Sequence, residues 1–222
     1  MAKTAVSVGR AAGEDPAKRL QILEGAERVF LAEGYEGASM STIARAAAVS
    51  KGTLYVYFTN KEALFSELIA FQCRAQTDTL YEGLKAPGPV DVLLRQFGRD
   101  FVHFKIGDRA HSIERLVIGE AAKFPELGRA FFEAGPKRGL ARLAEFLHAR
   151  VETGELDVDQ PLLAADQFMG LCFADLVLKR RMSVIETATP QRIGYIVDHA
   201  VDVFLKAYRA KAYRPEAYRP EA

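Results

Sequence analysis

Apolar side chains recur three and four residues apart along almost the whole chain, and no stretch bounded by turn residues shows them alternating. A chain patterned this way hides its apolar side on helices, so the expected fold class is all-α. With 222 residues, 49% of them hydrophobic and 27% charged, it can close a substantial core around such helices. No run approaches the roughly 18 consecutive apolar residues of a membrane span. The first fifteen residues lack an apolar signal core, so a cytoplasmic protein with no membrane partner is expected. Cys73 and Cys172 each sit in an apolar helical pattern and read as small buried hydrophobes, not as a disulfide or a thiolate metal site.

Capping and breaking residues divide the helices. Asp15 is a good N-cap and Pro16 suits the first helical position; Ile22, Leu23, Ala26, Val29 and Phe30 then form a core stripe that Gly34 ends. Ser39 caps a short helix from about Met40 to Ala48, with Ile43, Ala44 and Ala47 inward. A third runs from Gly52 to Phe58, and Asn60 opens a long fourth toward Leu84. Ala86-Pro87-Gly88-Pro89 is the strongest breaker. Behind it, helices are expected at about Val90 to Ile106, Arg109 to Lys123, Glu126 to Val151, Gln160 to Arg181 and Pro190 to Ala210, the third kinked or split at Gly135-Pro136. The expected organisation is a flexible arm (1–14), a helix-turn-helix unit (15–61), a larger helical unit (62–210) and a disordered tail (211–222) made of a tandem Tyr-Arg-Pro-Glu-Ala.

The net charge of +1 says nothing about an anionic partner, but its distribution does. From Gly37 to Lys61 there is no Asp or Glu, whereas Arg45, Lys51 and Lys61 are basic. In that window two short helices are joined by a tight turn, and the second opens with small polar and basic residues. This is the helix-turn-helix pattern, in which leading side chains reach base edges while hydroxyls, ammonium groups and backbone N–H groups grip phosphates. Leu54 and Phe58 fall on the buried side by spacing. Lys61 opens the next helix, where its charge and the positive helix end both favour a phosphate.

The run from Ser41 through Arg45, Lys51-Gly52-Thr53-Leu54-Tyr55-Val56-Tyr57-Phe58 and Lys61 to Leu64 closely resembles the DNA-binding segment of the TetR (tetracycline repressor) family, the likeness beginning at the first helix and the Glu33-Gly34-Tyr35 turn. Arg115-Leu116-Val117-Ile118 through Phe124-Pro125-Glu126-Leu127, and Phe131-Phe132-Glu133-Ala134-Gly135-Pro136, look like the regulatory domain of the AcrR- and AefR-like branch. The resemblance implies a nine-helix, Ω-shaped homodimer acting as a repressor, whose front units read the half-sites of a double-stranded DNA operator and whose back domains bind a small-molecule effector that releases it. By position, Lys51, Gly52, Thr53 and Tyr55 would face bases or the groove wall, and Ser41, Thr42, Arg45, Tyr57 and Lys61 would hold phosphates. Ala48 departs from the family's usual turn glycine; a positive φ there would cost about 1 kcal/mol.

In the back domain, Phe97, Phe101, Phe104, Phe131, Phe168, Met169 and Phe173 are candidates for an effector pocket, with Arg115, Glu120 or His103 as its polar contact. The same residues also suit plain core. The last two long helices carry more apolar surface than one neighbour can hide, so a dimer interface is expected at Phe168, Leu171, Leu178, Ile193, Val197, Val201 and Phe204. An alternative function rests on two carboxylate-x-x-His pairs, Asp100/His103 and Glu145/His148, whose spacing matches di-iron carboxylate bundles, with Glu114 or Glu120 as loosely nominated further ligands. No nucleophile elbow, phosphate-binding glycine loop or cysteine with an identifiable base is found, so neither catalysis nor a cofactor is expected.

Overall fold

A computed structural model describes residues 15–210, apart from the side chains of 74–79. The expected arm and tail lie outside the described residues. Those residues form eleven α-helices and one 3-10 turn: α1 (Pro16–Gly37), α2 (Met40–Ala46), α3 (Lys51–Tyr57), α4 (Lys61–Glu82, then the 3-10 turn Gly83–Lys85), α5 (Val90–Ile106), α6 (Asp108–Glu120), α7 (Pro125–Ala134), α8 (Pro136–Glu152), α9 (Pro161–Phe173), α10 (Leu176–Arg181) and α11 (Pro190–Tyr208). The fold is all-α, and no helix among the described residues is long and apolar enough to cross a membrane. The chain divides into two compact units, Met1–Leu68 and Ile69–Ala222, the division falling within α4.

In the front unit the local signals act as their chemistry dictates. The Asp15 carboxylate accepts from the Ala17 N–H at 2.9 Å, and Pro16 follows at the first helical position. Gly34 breaks α1 with φ 74°, a conformation that glycine takes without steric cost. Beyond it, Tyr35 returns to pack with Phe30 and Phe65, whose rings meet edge to face at 5.2 Å. α1 crosses α2 at Gly25, where a Cβ would stand 2.6 to 2.7 Å from the Cβ, Cα and N of Ala47, so only glycine permits the approach. Arg19 clamps Glu67 through both guanidinium edges and lies over the Phe58 ring.

Two breaks in the back unit raise the helix number above nine, one of them the split that Gly135-Pro136 leads one to expect. The segment with Gly135-Pro136 is split into α7 and α8, Gly135 standing at φ −114°, ψ −84° between them. The expected single helix over 160–181 is also broken, at Ala174 (φ 43°, ψ −121°). Nothing in the local sequence marks that break. Phe168, Met169 and Cys172 continue to Leu176 and Val177 at helical spacing, and all five are buried, so periodicity reads straight through it.

The back core is aromatic. Phe97 stacks on Phe101 at 5.5 Å, Phe101 on Phe173 at 5.2 Å, and Phe168 meets Phe204 edge to face at 5.2 Å. α5 and α11 come close at Gly98, where a Cβ would lie 2.7 Å from Val197 Cγ1 and 3.2 Å from Cys172 Sγ. Beside that contact Arg95 reaches Asp198 and Asp202, and Arg99 reaches Asp198. Cys172 is the small buried hydrophobe expected, its thiol pushed up to about 12 by burial; Cys73 is half-buried.

Ala48 stands at φ 51° in the turn between α2 and α3, a region where a Cβ is strained. Ala48→Gly is therefore expected to stabilise the front unit by about 0.5–1 kcal/mol, less than the full strain because glycine also frees the unfolded chain. A higher denaturant midpoint at unchanged slope checks this, and an unchanged or lower midpoint contradicts it.

Candidate nucleic-acid interface

Each of the two short helices opens on a serine cap. The Ser39 Oγ accepts from the Thr42 N–H at 3.0 Å and pairs with the Thr42 hydroxyl at 2.8 Å; Ser50 does the same for Thr53 at 2.9 and 2.7 Å. Between them, Val49 N–H closes on the Ala44 carbonyl at 3.0 Å. The open carbonyls at the end of α2 are met from α1, Gln21 donating to Ala47 O and Arg28 to Ala46 O, each at 2.6 Å. Sequence reasoning missed both clamps. Their signal is faint: polar side chains seven residues apart on the face of α1 that also carries Gly25.

α3 is oriented by Leu54 and Phe58, 0% and 3% exposed. Lys51, Gly52, Tyr55 and Val56 are exposed to solvent, Gly52 and Val56 on the side opposite the two core residues, and Ser41 and Arg45 of α2 are exposed as well. Thr42, Thr53 and Tyr57 are half-buried. The Tyr57 hydroxyl accepts from the Asp15 N–H at 3.1 Å, which leaves its own proton to donate. Val56, given no role by the sequence, is exposed on this face.

Lys61 is engaged within its own unit. Its ammonium donates to the carbonyls of Tyr35 at 2.7 Å, Ala38 at 2.9 Å and Glu36 at 3.3 Å, and lies over the Tyr35 ring at 4.5 Å. Its donors are spent on carbonyls of the turn that follows Gly34. The side chain is a clasp within the front unit, whereas its charge and place at a helix start suggest a phosphate arm.

Residues 22–68 match the family model described as "Bacterial regulatory proteins, tetR family". Residues 92–210, more than half of the chain, match that of the "AefR-like transcriptional repressor, C-terminal domain". The chain belongs to the TetR family. Among solved structures, the flavonoid-responsive regulator FrrA is 33% identical with a TM-score of 0.76, the alignment covering 89% of this chain and 100% of that one. A structure described as a TetR-family transcriptional regulator from Mesorhizobium loti MAFF303099 is 27% identical with a TM-score of 0.81 and the same coverage. The transcriptional regulator UidR of Escherichia coli K12 is 29% identical over 109 residues, 49% of this chain and 54% of that protein, so the chain spans about half the length of this curated relative.

In this TetR-family chain the di-iron alternative is not supported. Asp100, His103, Glu145 and His148 are all exposed; Asp100 accepts from Gln96, and His148 faces Glu152. No group of three or more ligating side chains able to hold a metal occurs among the described residues. Glu114 is buried but already paired with two cations, Lys105 at 2.9 Å and Arg181 at 2.6 Å.

The effector and interface candidates divide by burial. Phe97, Phe101, Phe168 and Met169 are buried core, Phe104, Phe131 and Phe173 are half-buried, and Phe131 lies beneath the Lys105 ammonium at 6.0 Å. Of the polar-contact candidates, Arg115 and His103 are exposed and Glu120 is half-buried. Of the expected interface residues, Phe168, Ile193, Val197, Val201 and Phe204 are buried in the chain's own core, and only Leu171 and Leu178 are exposed. Periodicity identifies an apolar side without saying whether it meets the same chain or another.

Two outcomes follow from this electrostatic arrangement. Lys61→Met orphans part-buried carbonyls and should lower stability by about 1–3 kcal/mol, while the dependence of duplex affinity on salt keeps its slope; a slope reduced by about one would restore the phosphate role. At Glu114, burial pushes the carboxyl up, but the Arg181 hydrogen bond and the Lys105 charge outweigh it and hold the group below its ordinary 4.5. The folded chain thus binds this proton more weakly than the unfolded one. The stabilisation is full above about pH 4.5 and lost as pH falls through the depressed folded value. Glu114→Gln should lower stability near neutrality by about 1–3 kcal/mol, and its thermal unfolding profile should converge on the parent's as acid is added; parallel profiles would contradict the assignment.

Proposed function

We propose that this chain is a homodimeric transcriptional repressor that holds a palindromic operator through α3 and releases it when a small molecule binds the back unit. The observation that carries the reading is the exposed face of α3. A lysine, a glycine and a tyrosine project from a helix fixed by Leu54 and Phe58, in a stretch with no carboxylate from Gly37 to Lys61. Lys51, Gly52 and Tyr55 meet base edges or the groove wall, and Thr53 lies at their flank with its hydroxyl turned to its cap. Ser41, Thr42, Arg45 and the Tyr57 hydroxyl hold phosphates.

The dimer face is an exposed apolar stripe. Leu163 and Leu171 of α9 lie eight residues apart, Leu178 of α10 follows, and Tyr195 and Val203 of α11 repeat the spacing; all are exposed in the single chain. Two copies joined there fix the half-site spacing near one turn of DNA, so two weak contacts act as one strong contact.

The relative FrrA is described as flavonoid-responsive. For this chain a small apolar effector would lie against the half-buried edges of Phe104, Phe131 and Phe173. α4 begins in the front unit and ends in the back unit. The thiol of Cys73 on α4 abuts Gly135, where a Cβ would stand 2.8 Å from the sulfur, so movement of the α7–α8 break is passed to α4. An effector preferring one position of that break lowers operator affinity by its differential affinity for the two states.

Selection from random duplexes tests the function. The expected product is a palindrome with half-site centres about 34–36 Å apart, with affinity falling steeply as salt rises. Tyr55→Ala should relax preference at one base position by about 1–3 kcal/mol. Folded protein that enriches no palindrome would overturn the proposal.

A further inference from the structure

Among the exposed residues of α3, Lys51, Gly52, Tyr55 and Val56, Val56 is the one with a wholly aliphatic side chain. Val56 is 71% exposed, more than any other large apolar side chain among the described residues. At 100° per residue it lies about 160° from both Leu54 and Phe58 and about 40° from Gly52. It thus projects away from the core on the side where the missing glycine side chain lets backbone come close. The exposed tyrosine ring of Tyr55 adjoins it along the chain. A valine on a helix is held almost entirely in one χ1 rotamer, so its two methyl groups are fixed before any partner arrives.

Of the features that base edges offer in the major groove, the C5 methyl of thymine is the apolar one; the others are hydrogen-bond donors and acceptors. We propose that Val56 is a specificity-determining residue whose methyl groups pack on the C5 methyl of one thymine in each half-site. The inference rests on the DNA-binding reading given above. Val56 donates and accepts no hydrogen bond, so it selects thymine by shape and apolar contact, and cytosine in its place offers neither the methyl nor a surface that tolerates desolvation.

The experiment uses the full chain and the duplex it selects from a random pool. Each thymine is replaced in turn, in both half-sites, by deoxyuridine, which pairs identically and lacks only the methyl. One position is expected to lose affinity about fifteenfold, the square of the roughly fourfold factor for burying one methyl-sized group. In Val56→Ala that loss should shrink below about twofold, and in Val56→Ile it should persist; circular dichroism of both variants should match the parent, since the side chain is exposed. A selected palindrome with no uracil-sensitive position, or a sensitivity that Val56→Ala retains in full, overturns this inference and leaves the DNA-binding reading standing. Failure to select any palindrome overturns both.

Discussion

The close crossing of α1 over the end of α2 is the constraint on which the front unit depends. Gly25 lets the α1 backbone lie so near Ala47 that a Cβ would stand 2.6 to 2.7 Å from its Cβ, Cα and N, and Gln21 and Arg28, on either side, take the carbonyls that α2 leaves open. A seven-residue helix is too short to persist alone in water. It is held here by a partner that satisfies its end groups and fills its groove. The turn at Ala48 then sets where α3 starts, and Leu54 and Phe58 set how it is rotated.

Much of this was legible in the residues. Caps at Asp15, Ser39 and Asn60, the break at Gly34 and the span of α5 follow from local chemistry that tertiary structure had no reason to override. The exposed side of α3 followed from spacing against two obvious core residues. The failures share a cause as well. Charge and position at a helix start suggest a phosphate for Lys61, but its contacts with three backbone carbonyls depend on the path of residues 35–38, which no local pattern encodes. An outward place for Ile193, Val197, Val201 and Phe204 supposes that one helix faces one neighbour, whereas α11 is packed against both α5 and α9 and buries all four.

Charge is used differently in the two units. In the front unit, basic groups on the α2–α3 face have no carboxylate nearby in sequence, and the α3 side stays open to water. In the back unit, cations are matched to acids across helices: Arg95 and Arg99 to α11, Lys105 and Arg181 to Glu114, Arg180 to Asp108 and the end of α5. Arg180 and Arg181 tie α10 to α6, so the short helix after the Ala174 break is anchored by ion pairs as well as by Leu176 and Val177.

That break gives the lineage of this chain an uneven set of options. A residue with a Cβ at φ 43°, ψ −121° carries backbone strain of order 1–3 kcal/mol, and the burial of Leu176 and Val177 beyond it keeps the chain from straightening. Drift at position 174 therefore has one downhill direction. Glycine relaxes the bend, while a β-branched side chain deepens the strain and presses toward a continuous helix that would carry Arg180 and Arg181 away from their acids on α6.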